Sequence, residues 1–454
     1  MSPNSVVVLG GGSVQNALCN RLLRQAGLAD SRVRASPVMD SLDGLIDVCT
    51  GADIVYLLSA LDLPAMPDEA SLRIFRAGTF FSVLESCQDC GVGSLVFMSS
   101  SRVVSKRTRG AQAAQENSPF VTAEEDKIGH AIAMAEAEIL KASGALNYGG
   151  SCLYTCALRP ATLFGTGDDR SIRRALSWVG WGLNRVAICP GNAQRDMLFV
   201  ENLIEAQLLV GKKLAEGTAE AWAAGSVWNA PPICSGQAYF VTDGHPYNPQ
   251  RMMDGILERL DFPTAKLIPV PRIVALAIAG GAELIWKIRP SQAPVLTQQE
   301  VRMLTESRRF SITRLEEDVG YKPMVDSSTA LNITVETLKG EGWGRHTFAT
   351  PGLVWWVAII LGMWLAGIAA FENACPMFLV PFQRYVFYFF ISVFRTMWIV
   401  RLNCVLAYGA HLWEGWYAYG LALKAGHRDT APLWLIQTTL LGYPSLRLLL
   451  RLLS

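Results

Sequence analysis

The chain has 454 residues, which is enough for two or three domains with sizeable cores. Its 40 Lys and Arg residues nearly balance 39 Asp and Glu residues, and this gives no support for nucleic-acid binding. Hydrophobic residues make up 51% of the chain and the mean hydropathy is +0.25, which is high for a soluble protein and favours membrane segments.

Strand-like and helix-like stretches alternate from the start of the chain to about residue 340. The strand-like runs are VVVLG, ADIVYLL, GSLVFMSS and YTCALRP, and amphipathic helical stretches separate them. This alternation predicts an α/β fold with a Rossmann-like, doubly wound parallel sheet. We assign residues 1–340 to this domain.

The first strand runs directly into a glycine cluster in VVVLGGGSVQN, residues 6–16. An apolar run, glycines and then a helical pattern are typical of the start of a dinucleotide-binding unit. Here, however, the glycines stand together instead of at spaced positions. The sequence therefore raises the question of whether this loop still holds a cofactor.

Ten cysteines are scattered through the chain, and the one close pair is Cys87 and Cys90. The pair falls inside a helical pattern, FFSVLESCQDCG. A zinc site would need two more ligands nearby, so we expect no metal. Free thiols in a reducing compartment are the simpler interpretation, and a redox role is the alternative.

The composition changes abruptly after about residue 345, and we assign 341–454 to a multi-pass α-helical transmembrane region. Residues 352–371 form a twenty-residue stretch without a charge, and 399–423 and 432–450 are two further candidate spans. The aromatic run FLVPFQRYVFYFFISVF is too short to span and predicts a helix end or an interfacial segment. Earlier in the chain, residues 273–288 predict an interfacial or buried helix.

His411 and Glu414 are three residues apart within the second candidate span, so they share a helix face. Ionisable groups in a membrane usually pair inward. Two interpretations stay open for this polar pair: a proton or lipid-headgroup site, or a contact between helices with Gln437 as the partner.

Five sequence blocks follow one another in the first 340 residues: GTFFSVLESCQDCGVGSLVFMSSSRVV, ALRPATLFGTGD, RDMLFVENLIEAQLL, SGQAYFVTDGHP and EEDVGYKP. Together they resemble the extended short-chain dehydrogenase/reductase family. The closest branch is that of the 3β-hydroxysteroid dehydrogenases and sterol-4α-carboxylate 3-dehydrogenases. The resemblance implies an NAD(P)-binding domain with a small substrate-side subdomain over residues 1–340.

The family's cofactor turn carries glycines at GxxGxxG, where the backbone approaches a pyrophosphate at a helix N-terminus. Gly10 matches the first glycine, whereas Ser13 and Asn16 stand at the second and third. Gly11 keeps the turn flexible. We expect the Ser13 side chain to obstruct the phosphates and Asn16 to crowd the contact between helix and strand, so that NAD or NADP binds weakly or not at all.

The family places an acidic residue for the adenosine ribose at the end of the second strand, and RVRASP (32–37) offers none. Arg34 in this strand would suit the 2′-phosphate of NADP. The alternative is that Arg34 is a solvated surface residue.

The resemblance also implies a reaction centre in which a Tyr takes the hydroxyl proton, a Lys four residues later lowers the pKa of that Tyr, and a Ser or Thr orients the substrate. Ser100 matches the orienting residue. Counting back from Glu136 places Ile128 at the Tyr position and Ile132 at the Lys position. The supporting Asn is replaced by Phe75. The standard reaction is therefore not expected.

Several other polar residues are candidates for a role. His130 and Lys127 lie three apart on one predicted helix and would be a substitute acid–base pair if they faced the site. Residues 168–170 follow the FGTGD loop near the expected substrate cleft, with a solvated turn as the simpler interpretation. Asp196 and Asn202 match family positions that we expect to be structural.

LAYGAHLWEGWYAYGLALKAG and WLIQTTLLGYPSLRLLL, near the C-terminus, resemble the small multi-pass proteins called transmembrane protein 254. The resemblance implies architecture only. It makes the chain an expected integral membrane protein, of the mitochondrial inner membrane or the endoplasmic reticulum.

Three functions stay open at this point. The first is a catalytically degenerate accessory or scaffold subunit of a membrane complex, by analogy with degenerate relatives in respiratory complexes. The second is an active NAD(P)-dependent dehydrogenase of 3β-hydroxysterols or sterol-4α-carboxylates. The third is a lipid-binding pseudoenzyme. The expected partners are the bilayer, other membrane-protein subunits and a sterol or lipid ligand, without nucleic acid.

Overall fold

The computed structural model describes residues 5–25, 32–37, 42–58, 79–104, 113–148, 150–165, 172–173, 176, 186–189, 191–223, 231–260, 262, 268–288, 296–341, 343, 348–371, 380–425 and 430–453. The chain divides into two compact units. The N-terminal unit comprises residues 1–175, 185–259 and 264–343, and the C-terminal unit comprises the remainder.

The strands all belong to the N-terminal unit. They are β1 (Val6–Leu9), β2 (Val33–Ser36), β3 (Ile54–Leu57), β4 (Ser94–Met98), β5 (Ala145–Leu146), β6 (Cys152–Pro160), β7 (Thr162–Phe164), β8 (Val186–Cys189), β9 (Arg195–Phe199), β10 (Gln237–Val241), β11 (Pro246–Tyr247) and β12 (Ile268–Pro271).

The main sheet has seven strands in the order β10-β6-β4-β3-β1-β2, with β5 antiparallel beside β6. All other pairs in this sheet are parallel. The order reverses beside β1 and β3, as in doubly wound folds, so the predicted Rossmann-like sheet is confirmed. Two small sheets, β11-β9-β7 and β12-β8, lie outside it.

The central strands are apolar because helices cover both faces of the sheet. Every residue of β1 (VVVL), β3 (IVYL) and β4 (SLVFM) is buried. A continuous apolar run, in place of an alternating pattern, is typical of a parallel strand that is buried on both faces. These strands form the centre of the hydrophobic core of this unit.

Ten α-helices of the N-terminal unit are formed by the described residues. They are α1 (Gly12–Gln25), α2 (Leu42–Cys49), α3 (Thr79–Asp89), α4 (Lys127–Lys141), α5 (Val200–Ala223), α6 (Pro249–Arg259), α7 (Arg272–Ile288), α8 (Gln298–Thr305), α9 (Thr313–Val319) and α10 (Ser327–Gly340). Several have local signals at their ends. The α8 helix begins with a capping box of Thr297 and Glu300, and α9 ends at Gly320 in the left-handed conformation.

Residues 273–288, predicted as an interfacial or buried helix, lie in α7 and are buried on one face only. Ala275 and Ala279 are buried against Val301, whereas Ile273 and Ile278 are exposed.

The C-terminal unit is helical. Its helices are α11 (Leu353–Ala370), α12 (Val380–Phe394), α13 (Met397–Lys424), α14 (Ala431–Leu441) and α15 (Tyr443–Leu453). Of the helices in the described part of the chain, none is long and apolar enough on its own to cross a bilayer. One bent pair, Phe382–Phe394 followed by Met397–Lys424 at 96°, meets that test by length and composition when taken together.

The three single spans expected from hydropathy are therefore not found as such in the described residues. The predicted span 432–450 is broken at Gly442, whose φ of 63° ends α14 and starts α15. The predicted span 399–423 lies in the long helix α13, where Arg401 and Glu414 lower the mean hydropathy. The aromatic run before it forms α12, one half of the bent pair.

Candidate nucleotide-binding and reaction site

Two features predicted from the sequence lie along one edge of the main sheet. Because β1, β3 and β4 are parallel and adjacent, the residues that follow them lie at the same edge. Gly10 follows β1 there, and Ser100 follows β4 by two residues. The carboxyl edge of a doubly wound sheet is where such folds bind nucleotides and substrates.

The turn after β1 is built around Gly10. Its φ is +146°, and a Cβ atom at this position would lie 2.7 Å from Cβ of Leu58. The Gly10 amide donates to the carbonyl oxygen of Ser36 at 3.0 Å, which joins the turn to β2. Gly10 is therefore required by both the backbone conformation and the close approach of β3.

Gln15 fixes the start of α1 to the strands beneath it. Its side-chain amide is buried and donates to the carbonyl oxygens of Val8 at 3.0 Å and Ser36 at 3.1 Å. The sequence analysis missed this residue. A Gln in the first turn of a glycine-led helix was the available signal, but only the fold shows that it is buried and which carbonyl groups the side chain reaches.

The two substituted glycine positions differ in the structure. Ser13 is half-buried in the first turn of α1, and its obstruction of a phosphate stays a prediction. Asn16 is exposed, so the expectation that it crowds the contact between helix and strand is wrong. The buried side of α1 is formed instead by Val14, Gln15 and Leu18.

The backbone of this turn fits a dinucleotide's pyrophosphate. Within the described part of the chain, the amides of Gly11, Gly12 and Ser13 donate no hydrogen bond. Unpaired amides at the N-terminus of a helix, together with the helix dipole, favour an anion. Gly10 to Ser13 would hold the phosphates of NAD or NADP.

Arg34 lies at the opposite edge of the sheet from the place where a ribose would bind. Its guanidinium donates to Oγ of Ser5 at 3.3 Å, and Ser5 directly precedes β1. Arg34 also precedes the carboxyl end of its own strand, Ser36, by two residues. This geometry corrects the assignment of Arg34 to the 2′-phosphate of NADP, because β2 projects that side chain toward the amino edge.

Ser100 begins a short 3₁₀ helix, Ser101–Val103, as its N-cap. Its hydroxyl oxygen accepts a hydrogen bond from the Arg102 amide at 3.2 Å. The hydroxyl hydrogen keeps its capacity to donate, which a residue that orients a substrate oxygen requires, and this role of Ser100 stays a prediction.

Arg308 fixes the 3₁₀ helix Ser101–Val103 through two hydrogen bonds to backbone carbonyl groups. Its guanidinium donates to the carbonyl oxygens of Ser101 at 2.8 Å and Val104 at 3.1 Å. Burial, reinforced by the nearby positive charges of Arg195 and Arg102, lowers the pKa of Arg308 to about 10.

The Tyr and Lys positions of the expected proton relay are buried in the core. Ile128 and Ile132 lie in α4 with 9% and 2% of their surface exposed. The helix is held against the 3₁₀ segment, since a Cβ on Gly129 would lie 2.6 Å from the carbonyl oxygen of Arg102. Asp126 caps α4 and also accepts two hydrogen bonds from the Arg102 guanidinium.

A buried ion pair lies between α4 and the sheet. Glu136 is fully buried and accepts from Arg159 at 2.5 Å and from the Ser99 hydroxyl at 2.5 Å. The Arg159 guanidinium also lies over the rings of Phe120 and Phe240, at 5.5 and 5.4 Å. The contacts of this network join α4 to β6 and to Ser99, the residue that follows β4. The sequence analysis used Glu136 only as a reference position.

The substitute acid–base pair receives little support from the geometry. Nδ1 of His130 lies 3.0 Å from the carbonyl oxygen of Val121, so the ring donates there from Nδ1. Lys127 is exposed at the first turn of α4. Residues 168–170 and Phe75, to which the sequence also gave a place near the site, lie outside the described residues.

Asp196 and Asn202 make structural contacts, as expected. Asp196 accepts from the Phe310 amide at 2.6 Å, and burial raises the pKa of its carboxyl group while that amide opposes the shift. Asn202 exchanges hydrogen bonds with the backbone of Val325 and donates to buried Asp243 at 2.8 Å. These contacts connect β9, α5 and the segment before α10.

His411 and Glu414 lie together over the break between α14 and α15. A Cβ built on Gly442 would lie 2.8 Å from Nε2 of His411 and 2.9 Å from Oε2 of Glu414. Nδ1 of His411 is 3.2 Å from the carbonyl oxygen of Thr439. The pair therefore joins α13 to the end of α14, which is the helix-contact interpretation.

Gln437 is not the partner of this polar pair. Its amide donates to the carbonyl oxygen of Ala349 at 2.9 Å and to Oγ of Ser445 at 3.0 Å. In the described residues, no group of three or more His, Cys, Asp or Glu side chains is arranged to hold a metal ion.

Comparisons with known proteins agree with this architecture. A model of the 3-beta hydroxysteroid dehydrogenase/isomerase family matches residues 33–272, just over half of the chain. A model of transmembrane protein 254 matches residues 354–451. Both resemblances inferred from the motifs are thereby confirmed.

Two curated relatives show how far the similarity extends. The 3beta-hydroxysteroid-dehydrogenase/decarboxylase isoform 1 of Arabidopsis thaliana is 29% identical over 293 residues, 63% of this chain and 62% of that protein. Short-chain dehydrogenase/reductase family 42E member 1 of Bos taurus is 29% identical over 291 residues, 62% of this chain and 69% of that protein. The chain thus spans less than two thirds of the Arabidopsis protein.

A similar solved structure is a dTDP-glucose 4,6-dehydratase from Streptomyces venezuelae with NAD and TYD bound. It has a TM-score of 0.51 and 15% identity, and it covers 75% of this chain and 98% of its own. At this identity the likeness shows the fold alone, which is an NAD-binding one in that dehydratase.

Proposed function

Because the chain belongs to the 3-beta hydroxysteroid dehydrogenase/isomerase family, we propose that it is a member of that family that has lost hydride-transfer catalysis and serves as a membrane-associated accessory or scaffold protein. In this proposal the α/β unit is a binding body, and the C-terminal helices attach it to a membrane. The single observation that carries the proposal is the burial of Ile128 and Ile132 at the two positions of the proton relay.

The chemistry explains why those two positions decide the function. A nicotinamide nucleotide supplies a hydride acceptor when it is bound, but oxidation of an alcohol also requires a group that takes the hydroxyl proton. Isoleucine side chains have no atom that accepts a proton. Ser100 can still orient a hydroxyl group, yet an orienting donor without a base leaves the proton on the substrate.

The surrounding structure supports a fixed core at this place. The neighbouring polar groups Ser99, Glu136 and Arg159 satisfy one another, so they are committed to packing α4 against the sheet. His130 donates to the Val121 carbonyl. No tyrosine stands between Tyr56 and Tyr148 in the sequence to replace the missing phenol.

The turn at Gly10 supports retained nucleotide binding without turnover, with lower affinity than a glycine-spaced turn would give. The half-buried Ser13 side chain is the reason for the lower affinity. A nucleotide held there would be a structural part of the protein. We place the protein in the mitochondrial inner membrane or the endoplasmic reticulum, with other membrane-protein subunits as its partners.

Turnover by the purified full-length protein in detergent tests the loss of catalysis. A 3β-hydroxysterol is supplied with NAD⁺ or NADP⁺, and formation of the reduced nucleotide is followed by absorbance. We expect no rate above the protein-free blank. A rate that disappears in Ser100→Ala would overturn the proposal.

Size in the native membrane tests the accessory role separately. The protein is solubilised in mild detergent and separated by native electrophoresis. Migration within a larger assembly is the expected result, and migration as a single free chain contradicts the accessory role even if no turnover is found.

The second candidate is an active NAD(P)-dependent sterol dehydrogenase. It is favoured by Ser100, which keeps the orienting position, and by relatives whose names include hydroxysteroid dehydrogenase. His130 would then be the base. Turnover that is abolished in His130→Ala and retained in Lys127→Ala would identify this function.

A further inference from the structure

Two arginines lie side by side on neighbouring extended segments of the N-terminal unit. Arg195, the first residue of β9, pairs with Arg308 in a parallel bridge. The backbone fixes this pairing, because the Arg308 amide donates to the Gln194 carbonyl oxygen and the Asp196 amide donates to the Arg308 carbonyl oxygen, both at 2.9 Å. Neighbouring strands lie about 4.8 Å apart, and paired residues project to the same face. The two arginine side chains therefore leave the backbone on one side of these segments.

Within the described part of the chain, neither of these guanidinium groups has a carboxylate partner. Nη1 of Arg195 donates to the backbone carbonyl oxygen of Glu306 at 3.2 Å. Nη2 of Arg308 donates to the backbone carbonyl oxygens of Ser101 and Val104. A guanidinium group has donors on all three nitrogens, so Nε and one terminal nitrogen of each residue keep free N–H groups. The two arginines therefore have unused donors as well as unneutralised charge.

The acidic side chains around this arginine pair are engaged elsewhere. Asp126 accepts two hydrogen bonds from the Arg102 guanidinium, and Glu306 forms an ion pair with Arg272. Asp196 is the next residue of the extended strand β9, so its side chain projects to the opposite face. Each nearby carboxylate thus serves another group, and the pair keeps two positive charges without a counter-ion.

Partial burial makes the missing counter-ion costly. Arg195 and Arg308 are both half-buried, whereas the adjacent Gln194 and Ser307 are exposed, so the pair lies close to the surface. Burial lowers the pKa of both guanidinium groups, and the positive charge of Arg195 lowers that of Arg308 further. Two like charges in a partly desolvated place are stabilised by an anion that contacts both. Because Arg308 is bonded to the 3₁₀ segment that Ser100 caps, such an anion would lie near the candidate orienting residue.

We propose that Arg195 and Arg308 bind a phosphoryl group of a ligand held by the α/β unit, an inference that rests on the proposed function, in which this unit is a binding body. A phosphate monoester carries about two negative charges and three strong acceptor oxygens. These match two guanidinium groups with free N–H donors, since arginine binds phosphate through paired N–H···O bonds. A neutral sterol offers neither the charge nor the acceptors. A lipid headgroup and a nucleotide both present this chemistry.

Titration calorimetry of the full-length protein in a non-ionic detergent tests this site. The phosphoryl probes are dihexanoyl phosphatidate and uridine diphosphate, and hexanoate is the carboxylate comparison. We expect at least one phosphoryl probe to bind tenfold or more tightly than hexanoate, because a carboxylate brings one negative charge instead of about two. The tighter of the two phosphoryl probes identifies a lipid or a nucleotide as the source. Hexanoate affinity equal to that of both phosphoryl probes would overturn the phosphoryl assignment.

Matched variants separate this site from general attraction of anions. Arg195→Gln should weaken phosphoryl binding about 10- to 100-fold, because charge-assisted hydrogen bonds are lost. Its side chain makes a single described hydrogen bond, so the variant should fold, and thermal unfolding checks this. Arg309→Gln removes the same charge from an exposed residue beside Arg308 and should change the affinity less than twofold. The proposal is overturned if wild type binds neither phosphoryl probe at millimolar concentration, or if the two variants have equal effects.

This outcome is separate from that of the turnover experiment. Sterol turnover would overturn the loss of catalysis and leave an Arg195-dependent affinity for phosphoryl probes in place. Absence of phosphoryl binding would overturn the arginine site, while the size of the native protein still decides the accessory role.

Discussion

The nucleotide turn and the relay helix lie at the same edge of one sheet, and substitution has affected them differently. At the turn after β1, two of three family glycines are replaced, yet Gly10 keeps its left-handed backbone and the amides of Gly11 to Ser13 are unpaired among the described contacts. At α4, two family side chains are replaced by Ile128 and Ile132, which are buried.

The difference follows from which atoms bind the phosphate at the turn and which atoms would transfer the proton at α4. Backbone amides and a helix dipole bind phosphate whatever the neighbouring side chains are, so a turn tolerates substitution until a side chain obstructs the ligand. A proton relay needs an ionisable atom at a fixed place, and an aliphatic side chain has none. On the proposed function, the first region would keep part of its capacity, whereas Ile128 and Ile132 in the second region are buried in the core.

The sharpest test of α4 as core is removal of the buried charge pair, which carries the largest expected effect. Arg159→Met should lower the free energy of unfolding by about 3–5 kcal/mol, because Glu136 is left as an uncompensated buried charge. The change is measured from denaturant unfolding of the detergent-solubilised protein. Removing both charges together, with Glu136→Leu added, should restore most of the loss.

The control for this prediction is a more exposed ion pair of similar geometry. Arg173 and Glu341 approach to 2.5 Å with side chains 40% and 32% exposed. Arg173→Met should lower stability by about 0–1 kcal/mol. Equal losses in the two Arg→Met variants would show that α4 is not held by the buried network.

The turn is tested by Gly10→Ala, whose expected effect is intermediate. The φ of +146° and the 2.7 Å approach to Leu58 should together lower the free energy of unfolding by about 2–3 kcal/mol. Nucleotide binding, measured by calorimetry, should be lost as well. Gly12→Ala has a positive φ but no neighbour within 4 Å, so its loss of stability should be smaller.

The smallest effect concerns the affinity for nucleotide. Ser13→Gly should tighten NAD or NADP binding by about 3- to 10-fold, on the order of 1 kcal/mol, because the side chain that limits phosphate approach is removed. Asn16→Ala should leave the affinity unchanged, since Asn16 is exposed. Titration calorimetry of the two variants decides this, and tighter binding in Asn16→Ala would contradict the exposed position of that side chain.

Much of the fold was predictable because its signals are local. The runs VVVL, IVYL and SLVFM are almost entirely apolar, as is typical of buried parallel strands, and the structure forms β1, β3 and β4 from them. The sequence alone also showed that the two positions assigned to the Tyr and the Lys of the relay are Ile128 and Ile132. The spans were less predictable, since hydropathy over a window does not register the left-handed Gly442 that divides α14 from α15.

The sequence by itself determined the sheet, the family and the isoleucines at the two positions that the resemblance assigns to the proton relay, because each depends on residue type and spacing. Only the tertiary structure decided that Arg34 lies at the amino edge beside Ser5, that Gln15 bonds the carbonyl groups of β1 and β2, and that Glu136 pairs with Arg159. These contacts join residues from separate elements, and their distances depend on how the helices pack against the sheet. Residue spacing along the chain carries no measure of that packing.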